Sequence, residues 1–428
     1  MPSENFPAGG KCRERACGGI RWAGLLLLSV LQIFAGSAPA QNAGSKKPAP
    51  KNSASTGDLA RQQQLAEDWH RGTTALQQND NPAAEEAFRQ AFALAPKSIE
   101  VINDLAISLA RQGKDDEAIA LYERALRLKP GDPVTGRNLG VAYFRAHRYK
   151  DALPYLEALS KAMPTFQALD LTGLDLFALD RYKQAIVYLE QASMKQPSDL
   201  PTLDVLGKAY WRTKNYSGVT KVFDRIMAVN PGSPEAHFMM GLAYDVLSKE
   251  DDAFKEFQAV LAEDPNYPGV HSSLGLIDFR EHKVPQALDE FKQELTRYPN
   301  DPVSNYMVGR ILRQQNQPAQ AIPYLQAAIA VNPNYRDALL ELGQCHILLD
   351  QPEQAIEPLK KATQVDPEFA QAHFVLGTAY SMAGQTADAR RERNVSKTLD
   401  ARQHEKSVQG TSRKLRNAPS AGGDAHQF

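Results

Sequence analysis

Four short stretches of this chain follow one pattern: LGVAY at 139–143, LGKAY at 206–210, MGLAY at 240–244 and LGTAY at 376–380. The glycine of each stretch belongs to a longer series of small residues spaced 33 or 34 residues apart. The series consists of Gly72, Ala106, Gly140, Gly173, Gly207, Gly241, Gly275, Gly309, Gly343 and Gly377. Because a glycine inside a helix costs about 1 kcal/mol relative to alanine, nine glycines in one register indicate sites where no side chain fits.

Other residue types recur at the same period. An alanine, or Val219 in one unit, stands twelve residues after each small residue, and in most units an aromatic residue or leucine follows four later. The recurrent prolines are Pro96, Pro130, Pro164, Pro197, Pro231, Pro265, Pro299, Pro333 and Pro367. Residues four apart share a helix face, and proline cannot continue a helical hydrogen-bond ladder. Each unit is therefore predicted as two helices, with the recurrent proline ending the second. A further proline is predicted to open the next helix, at Pro133, Pro234, Pro268 and Pro302.

This pattern resembles the tetratricopeptide repeat, with its 34-residue period and its W-x2-L-G-x2-Y…A-x3-F…P consensus. Ten repeats fit, and they begin at residues 65, 99, 133, 166, 200, 234, 268, 302, 336 and 370. The resemblance covers residues 65–403 and implies an all-α fold, a right-handed α-solenoid of helix-turn-helix repeats. The third repeat lacks one residue after Pro164, and the seventh has Asp278 where tyrosine is usual. The tenth has Arg393 in the aromatic position and a polar second helix, which predicts a cap at the end of the array.

The segments outside the repeats predict the compartment. Four basic residues precede a 14-residue apolar run, WAGLLLLSVLQIFA at 22–35, and Ala38-Pro39-Ala40 follows it. This is typical of a secretory signal over residues 1–40, and retention of the run as a marginal membrane anchor is the alternative. Export would make the protein periplasmic or secreted, with membrane contact only through an uncleaved leader. Residues 41–64 are predicted as a flexible linker and residues 404–428 as a disordered tail.

Composition and motif content argue against several classes of function. The chain has 49 basic and 50 acidic residues, and residues 65–403 carry 37 basic against 45 acidic residues, so no nucleic-acid partner is predicted. No nucleophile, zinc, phosphate-loop or C-x-x-C motif occurs, so the chain is predicted to be no enzyme and to need no cofactor or metal. The acidic runs at 115–117 and 250–252 are interpreted as first turns of second helices.

Isolated histidines and a cysteine are interpreted as structural. His237, His271 and His373 occupy the fourth position of their repeats and are predicted to be partly buried aromatic residues. Metal binding is the less favoured alternative, because successive repeats lie about 10 Å apart. Cys345, the only cysteine outside the leader, is predicted to be a small buried thiol.

The resemblance also implies where a partner would bind. In this family the first helices line a groove, and repeat positions 5, 9, 12 and 13 should face it. Aromatic residues and arginines fill positions 12 and 13 in several repeats, and such residues are enriched where binding energy concentrates. The predicted groove residues are Arg111, Phe144, Arg145, Phe177, Trp211, Arg212, Phe279, Arg280 and Arg313. The alternative is that these side chains only fill and solvate the seam between repeats.

The expected function is a non-enzymatic scaffold of the cell envelope that binds a protein segment, either a peptide or a partner helix. An accessory subunit of an envelope enzyme or assembly machine is the alternative.

Overall fold

A computed structural model describes residues 56–416, and the surroundings of the side chains are described for residues 57–405. Within this range twenty helices follow one another and no strand occurs. The helices are α1 Thr56–Gln77, α2 Asn81–Leu94, α3 Ile99–Arg111, α4 Asp115–Leu128, α5 Pro133–Arg145, α6 Tyr149–Ala162, α7 Phe166–Ala178, α8 Tyr182–Lys195, α9 Leu200–Arg212, α10 Tyr216–Val229, α11 Pro234–Val246, α12 Glu250–Glu263, α13 Val270–Arg280, α14 Val284–Arg297, α15 Pro302–Gln314, α16 Pro318–Val331, α17 Arg336–Leu348, α18 Pro352–Val365, α19 Ala370–Met382 and α20 Thr386–Arg416. The predicted all-α architecture of paired helices is therefore confirmed. The predicted signal peptide at 1–40 lies outside the described residues.

The chain divides between Ala253 and Phe254 into two units, which we describe separately. In residues 56–253, the two helices of each of the first five repeats pack together, and the first helices of neighbouring repeats also touch, as α1 touches α3 and α3 touches α5. In residues 254–416, the paired helices from α13 to α20 pack in the same manner. Each unit buries its own core of alanine, leucine and aromatic side chains.

Helix boundaries follow from capping residues and prolines. Six first helices begin after a residue whose side-chain oxygen accepts a hydrogen bond from the backbone N–H three residues on. These caps are Ser98, Asp132, Thr165, Asp199, Ser233 and Asp301. Such a cap replaces one hydrogen bond that the helix cannot make internally. Each recurrent proline lies two residues beyond the end of a second helix, as predicted.

The prediction for Pro268 is wrong. Helix α13 begins at Val270, after Gly269 with a φ of 83°. This helix has no capping side chain of its own, because Tyr267 stands where the neighbouring repeats carry Ser233 and Asp301, and the residue at the cap itself is Gly269. Glu294 on α14 supplies the missing acceptor instead, with its carboxylate bonded to the backbone N–H groups of Gly269 and Ser272 at 2.8 and 3.4 Å.

The recurrent glycines are required by the residue sixteen positions later. A Cβ on Gly207 would lie 2.6 Å from the ring of Phe223, and one on Gly309 would lie 2.6 Å from the side chain of Leu325. Phe223 and Leu325 are buried core residues on the second helix of the same repeat. The glycine therefore lets the large side chain of the second helix pack directly on the backbone of the first.

Every repeat turns between its two helices through one residue of left-handed backbone, always at position 15. Only two of these residues are glycines, Gly113 and Gly384. The other eight are Asn79, His147, Asp180, Lys214, Ser248, His282, Asn316 and Asp350, with φ between 56° and 62°. A left-handed residue directly after a helix satisfies the last carbonyl groups, as when the N–H of Arg148 donates to the carbonyl of Tyr143 at 2.8 Å.

Both ends of the array differ from the predicted boundaries. Helix α1 begins at Thr56 and so includes residues 56–64, which we predicted as linker. Helix α20 continues to Arg416 and so includes residues 404–416, which we predicted as tail. The physical reason is that residues 58–71 contain neither proline nor glycine and are rich in alanine, arginine, glutamine and leucine, which favour helix without a buried face. Most described side chains of α20 are exposed, as the cap prediction requires.

Candidate partner-binding face

All nine predicted groove residues lie in the last turn of a first helix. Six belong to residues 56–253, on α3, α5, α7 and α9, and three belong to residues 254–416, on α13 and α15. Position in the last turn brings these side chains close to the start of the second helix and to the preceding repeat. Most of them are half-buried, with Phe144 buried and Arg212 exposed at the two extremes.

The aromatic residues at position 12 pack edge-to-face on a tyrosine that opens the second helix of the same repeat. The three pairs are Phe144 with Tyr149 at 5.6 Å, Phe177 with Tyr182 at 5.2 Å and Trp211 with Tyr216 at 5.2 Å between ring centroids. Aromatic pairs prefer this geometry, and it adds to the gain from burial. These ring contacts therefore strengthen the turns of the third, fourth and fifth repeats.

The arginines of residues 56–253 reach back to the preceding repeat. The contacts are Arg145 Nη2 to Asp115 Oδ1 at 3.4 Å, Arg111 Nη1 to the carbonyl of Leu76 at 3.1 Å, and the Arg212 guanidinium over the Tyr182 ring at 5.8 Å. Burial lowers the pKa of Arg111, since the charged guanidinium is partly removed from water. The arginines thus join neighbouring repeats, which agrees with the seam that we considered as the alternative.

Residues 254–416 repeat the same theme with different partners. Arg313 donates from Nε and Nη2 to the two carboxylate oxygens of Glu341 on the next first helix, the second bond measuring 3.3 Å. The guanidinium of Arg310 lies 5.4 Å from the ring centroid of Phe279. Arg280 is half-buried. It is the last residue of α13 and directly follows Phe279 in the chain. Arginines and aromatic side chains thus lie near each other in the last turns of first helices in both units.

Two of the three isolated histidines pair with glutamates, and the third, His237, is half-buried with its Nε2 3.1 Å from the carbonyl oxygen of Pro231. Nδ1 of His373 lies 2.6 Å from Oε2 of Glu392, and Nδ1 of His271 lies 2.7 Å from Oε2 of Glu290. In both cases the glutamate stands nineteen residues later, on the second helix of the same repeat. Across residues 57–405, no group of three or more metal-binding side chains could hold an ion. His271 and His373 therefore connect the two helices of their repeats.

Cys345 is buried in the first helix of the ninth repeat, as predicted. Burial raises the pKa of its thiol to about 12, and the nearby carboxylate of Glu341 adds to this effect. Since only a thiolate is nucleophilic, this side chain is a packing element. The acidic runs at 115–117 and 250–252 also lie in the first turns of α4 and α12, as predicted.

The sequence did not single out a polar cavity of about 280 Å³ among the first helices α1, α3 and α5. Its walls include Trp69, Asp104 and Asn138, together with Ile99, Glu100, Asn103, Ile107, Lys129, Asp132, Val134 and Arg137. Trp69, Asn103 and Arg137 hold the fifth position of the first three repeats, one of the positions expected to face a groove. The signal that could have found it is Trp69 at that position, where a large aromatic side chain is 42% exposed.

A hydrogen bond joins two walls of this cavity. The indole Nε1–H of Trp69 donates to Oδ2 of Asp104 at 2.7 Å. Burial raises the pKa of Asp104, the bond from Trp69 lowers it, and the negative charge of Glu100 raises it again. Asn138 is 3% exposed, and its Nδ2 has no hydrogen-bond acceptor within the described residues.

Two sequence models, both described as tetratricopeptide repeat, match this chain. One matches residues 71–133 and 205–268, and the other matches residues 109–172 and 312–361. Together the matches cover half of the 428 residues. The chain belongs to the tetratricopeptide repeat family. Tetratricopeptide arrays are generally non-catalytic scaffolds for protein–protein interaction, and this class of role is supported for the chain.

Solved structures of other tetratricopeptide proteins are similar to this array. YrrB, described as a TPR protein with an unusual peptide-binding site, is 20% identical with a TM-score of 0.38, and the match covers 42% of this chain and 93% of YrrB. PilF of Pseudomonas aeruginosa is 16% identical with a TM-score of 0.44, and the match covers 48% of this chain and 94% of PilF. The matched chain of the APC/C heterotetramer Cut9–Hcn1 is 12% identical with a TM-score of 0.41. The match covers 81% of this chain and 96% of that chain. No curated protein sequence matches the chain.

A helix that crosses a bilayer must be both long and apolar. Between residues 56 and 416, no helix combines the length and the apolar character that a bilayer crossing demands.

Proposed function

We propose that this chain is a non-enzymatic scaffold of the cell envelope, which holds a peptide or a partner helix along the first helices of its repeats. The observation that carries the proposal is the row of half-buried aromatic residues and arginines in the last turns of these helices. Trp211 packs one edge on Tyr216 and keeps part of its indole accessible, while Arg212 beside it is exposed. Side chains that are already held in place lose little conformational freedom when a partner binds.

The compartment is part of the proposal. It rests on the leader at residues 1–40, whose basic start, apolar run and Ala38-Pro39-Ala40 site have the pattern of an exported precursor. The protein would then meet its partner in the periplasm or outside the cell. N-terminal sequencing of the mature protein tests this point, and a mature chain that begins before Trp22 would contradict cleavage.

Alanine substitution on the first helices tests the binding face. We expect the combined variant Trp211→Ala, Arg212→Ala, Phe279→Ala, Arg280→Ala to lose partner capture in cross-linking pull-downs from the exported fraction. Hot-spot residues of these types typically cost about 2 kcal/mol or more each when truncated. Circular dichroism should show unchanged helix content, because none of the four side chains belongs to the fully buried core, although Phe279 packs against it.

A matched control uses apolar side chains on a second helix. Val187 and Met194 lie on α8 and are 54% and 75% exposed, so their replacement by alanine removes exposed apolar area of similar kind. We expect this pair of substitutions to leave capture unchanged. If the control variant loses the partner while the first-helix variant keeps it, the assignment of the binding face is wrong. Recovery of one enzyme at 1:1 stoichiometry would instead favour an accessory subunit.

A further inference from the structure

We propose that the cavity between Trp69, Asp104 and Asn138 is a subsite that accepts a lysine or arginine side chain of the bound protein segment. This inference rests on the proposed function and deepens it, because it names the residue type that the partner presents at one point. The residues that line the cavity carry three carboxylates, on Glu100, Asp104 and Asp132, and two cationic groups, on Lys129 and Arg137.

No cation touches the acidic wall directly, although Lys129 attracts Glu100 over a longer distance. Glu100 and Asp104 stand one helical turn apart on α3, and no lysine, arginine or histidine of the described residues lies within 4.0 Å of either carboxylate. The hydroxyl of Ser98 donates to Glu100, and the indole of Trp69 donates to Asp104. Two neighbouring carboxylates that each receive one neutral donor bind a cation better than any uncharged group.

The two cations of the cavity contact other residues that line it. Lys129 forms an ion pair with Asp132 at 2.8 Å, and Asp132 also caps helix α5. Arg137 forms no ion pair within the described residues, and its Nε donates to Oδ1 of Asn138 at 3.4 Å. Neither cation therefore bonds directly to the carboxylates of Glu100 and Asp104.

The aromatic wall suits a long basic side chain. Trp69 is 42% exposed, and its Nε1–H bond to Asp104 fixes the indole next to that carboxylate. A lysine or arginine can lay its methylene groups along an indole and its charge against the ring face, which is the geometry of a cation–π contact. An indole with two carboxylates beside it selects a cationic group over a neutral or acidic one.

Asn138 supplies the second half of the recognition. Its Nδ2 is buried and lacks an acceptor, which costs free energy in the unbound protein. A carbonyl oxygen from the main chain of the bound segment would satisfy it, next to the guanidinium of Arg137. The cavity of about 280 Å³ has room for one long side chain with its own peptide group.

Short blocked peptides provide a direct test on the full-length chain. The probes are acetyl-Ala-Lys-Ala-amide, acetyl-Ala-Arg-Ala-amide, the norleucine analogue, which keeps the length of lysine without its charge, and the glutamate analogue. The readout is the indole N–H resonance of Trp69, assigned by its absence from a Trp69→Phe chain. We expect saturable shifts with the lysine and arginine peptides, and affinity at least about tenfold lower with norleucine or glutamate.

Variants locate the binding to this cavity. Asp104→Asn should weaken binding of the lysine peptide at least about tenfold, because it removes one of the two carboxylate charges that no cation contacts directly. Asp204→Asn is the matched control, since Asp204 also lies on a first helix but is already paired with Lys208 at 2.5 Å, and it should leave the affinity unchanged. Asn138→Ala should lower the affinity for the lysine peptide several-fold. Helix content by circular dichroism verifies that each variant is folded.

Four results would overturn the inference: no shift of Trp69 with any probe, equal affinity for norleucine, preference for glutamate, or equal loss in the Asp204→Asn control. If the lysine peptide does not bind while partner capture still depends on Trp211 and Arg212, the subsite is wrong and the proposed function stands. If capture is insensitive to the first-helix variant but lysine binds at Trp69, the proposed face is wrong and the subsite stands.

Discussion

The carboxylate of Glu294 accepts a 2.8 Å hydrogen bond from the backbone N–H of Gly269, and in this way a second helix caps the first helix of its own repeat. Glu294 is 2% exposed, and burial raises the pKa of its carboxyl group while the bonds from Gly269 and Ser272 lower it. The eighth and ninth repeats carry alanine at the corresponding place, Ala328 and Ala362, and open their first helices without such help. The glutamate thus compensates for the missing cap of α13.

We expect Glu294→Ala to destabilise the unit of residues 254–416 by about 1–3 kcal/mol, because it leaves the N–H groups of Gly269 and Ser272 without an acceptor. Alanine itself fits at this site, as the neighbouring repeats show. Hydrogen exchange should accelerate first at the start of α13, and urea unfolding should shift to lower concentration. Glu294→Gln keeps one acceptor, so its stability should lie between that of the unchanged chain and that of Glu294→Ala. Unchanged exchange at Gly269 and Ser272 would refute the capping role.

The second prediction concerns the effect of Asp175 on the pH dependence of stability. Its side chain is fully buried, both carboxylate oxygens lack a hydrogen-bond partner within the described residues, and burial raises its pKa to about 7. The charged groups facing it are Arg181, which lowers the pKa, and Glu157, which raises it. The folded state therefore holds a proton that the unfolded chain, with an ordinary aspartate pKa of about 3.9, releases. Stability should fall as pH rises from about 4 to about 7.

Replacing Asp175 by alanine should remove this pH dependence and raise the free energy of unfolding at pH 8 by about 1–3 kcal/mol. Four other repeats carry alanine at the same place, Ala142, Ala209, Ala243 and Ala379. Urea unfolding at pH 5 and pH 8 measures the difference, which should be smaller at pH 5. Asp224→Ala, at an exposed site on α10, is the control and should change stability by less than about 0.5 kcal/mol. A gain that does not depend on pH would argue against an ionised Asp175.

The third prediction contrasts two glycines of first helices. Gly207→Ala should destabilise by about 1–3 kcal/mol, because its Cβ would lie 2.6 Å from the Phe223 ring. Gly136→Ala should stabilise by about 0.5–1 kcal/mol, because its Cβ would meet only Tyr155, at 3.6 Å, and alanine favours the helix. Thermal unfolding of the two variants decides the matter. The same sign of change in both would contradict the close-packing explanation.

The fourth prediction concerns Cys345. In a chain carrying Cys12→Ser and Cys17→Ser, the remaining thiol should react with a disulfide reagent very slowly at pH 8, because its pKa is raised to about 12 and the side chain is buried. Reaction should become fast when urea unfolds the array, and the two rates are measured by absorbance of the released thiolate. Rapid reaction of the folded chain would show that this part of α17 opens readily.

The repeat pattern predicted the order of the helices, their ends at the recurrent prolines and the burial of Cys345, because each depends on local residue preferences. The left-handed residue at position 15 had only a weak signal, since lysine, serine and histidine share that place with the expected glycine, asparagine and aspartate. The role of the arginines was left open by the sequence. Their contacts with the preceding repeat depend on how far one repeat lies from the next, which periodicity does not state.

The sequence alone determined that this chain is an array of paired helices, because glycine, alanine and proline at one period act through backbone sterics that need no tertiary context. Only the tertiary structure decided which polar groups find partners. Asp104 and Trp69 lie 35 residues apart and meet because α1 and α3 are neighbours. Among the described residues, the carboxylate of Asp175 and the Nδ2 of Asn138 have no hydrogen-bond partner, which the repeat pattern did not indicate. Satisfaction of a buried polar group depends on neighbours from other repeats, and those neighbours are set by packing.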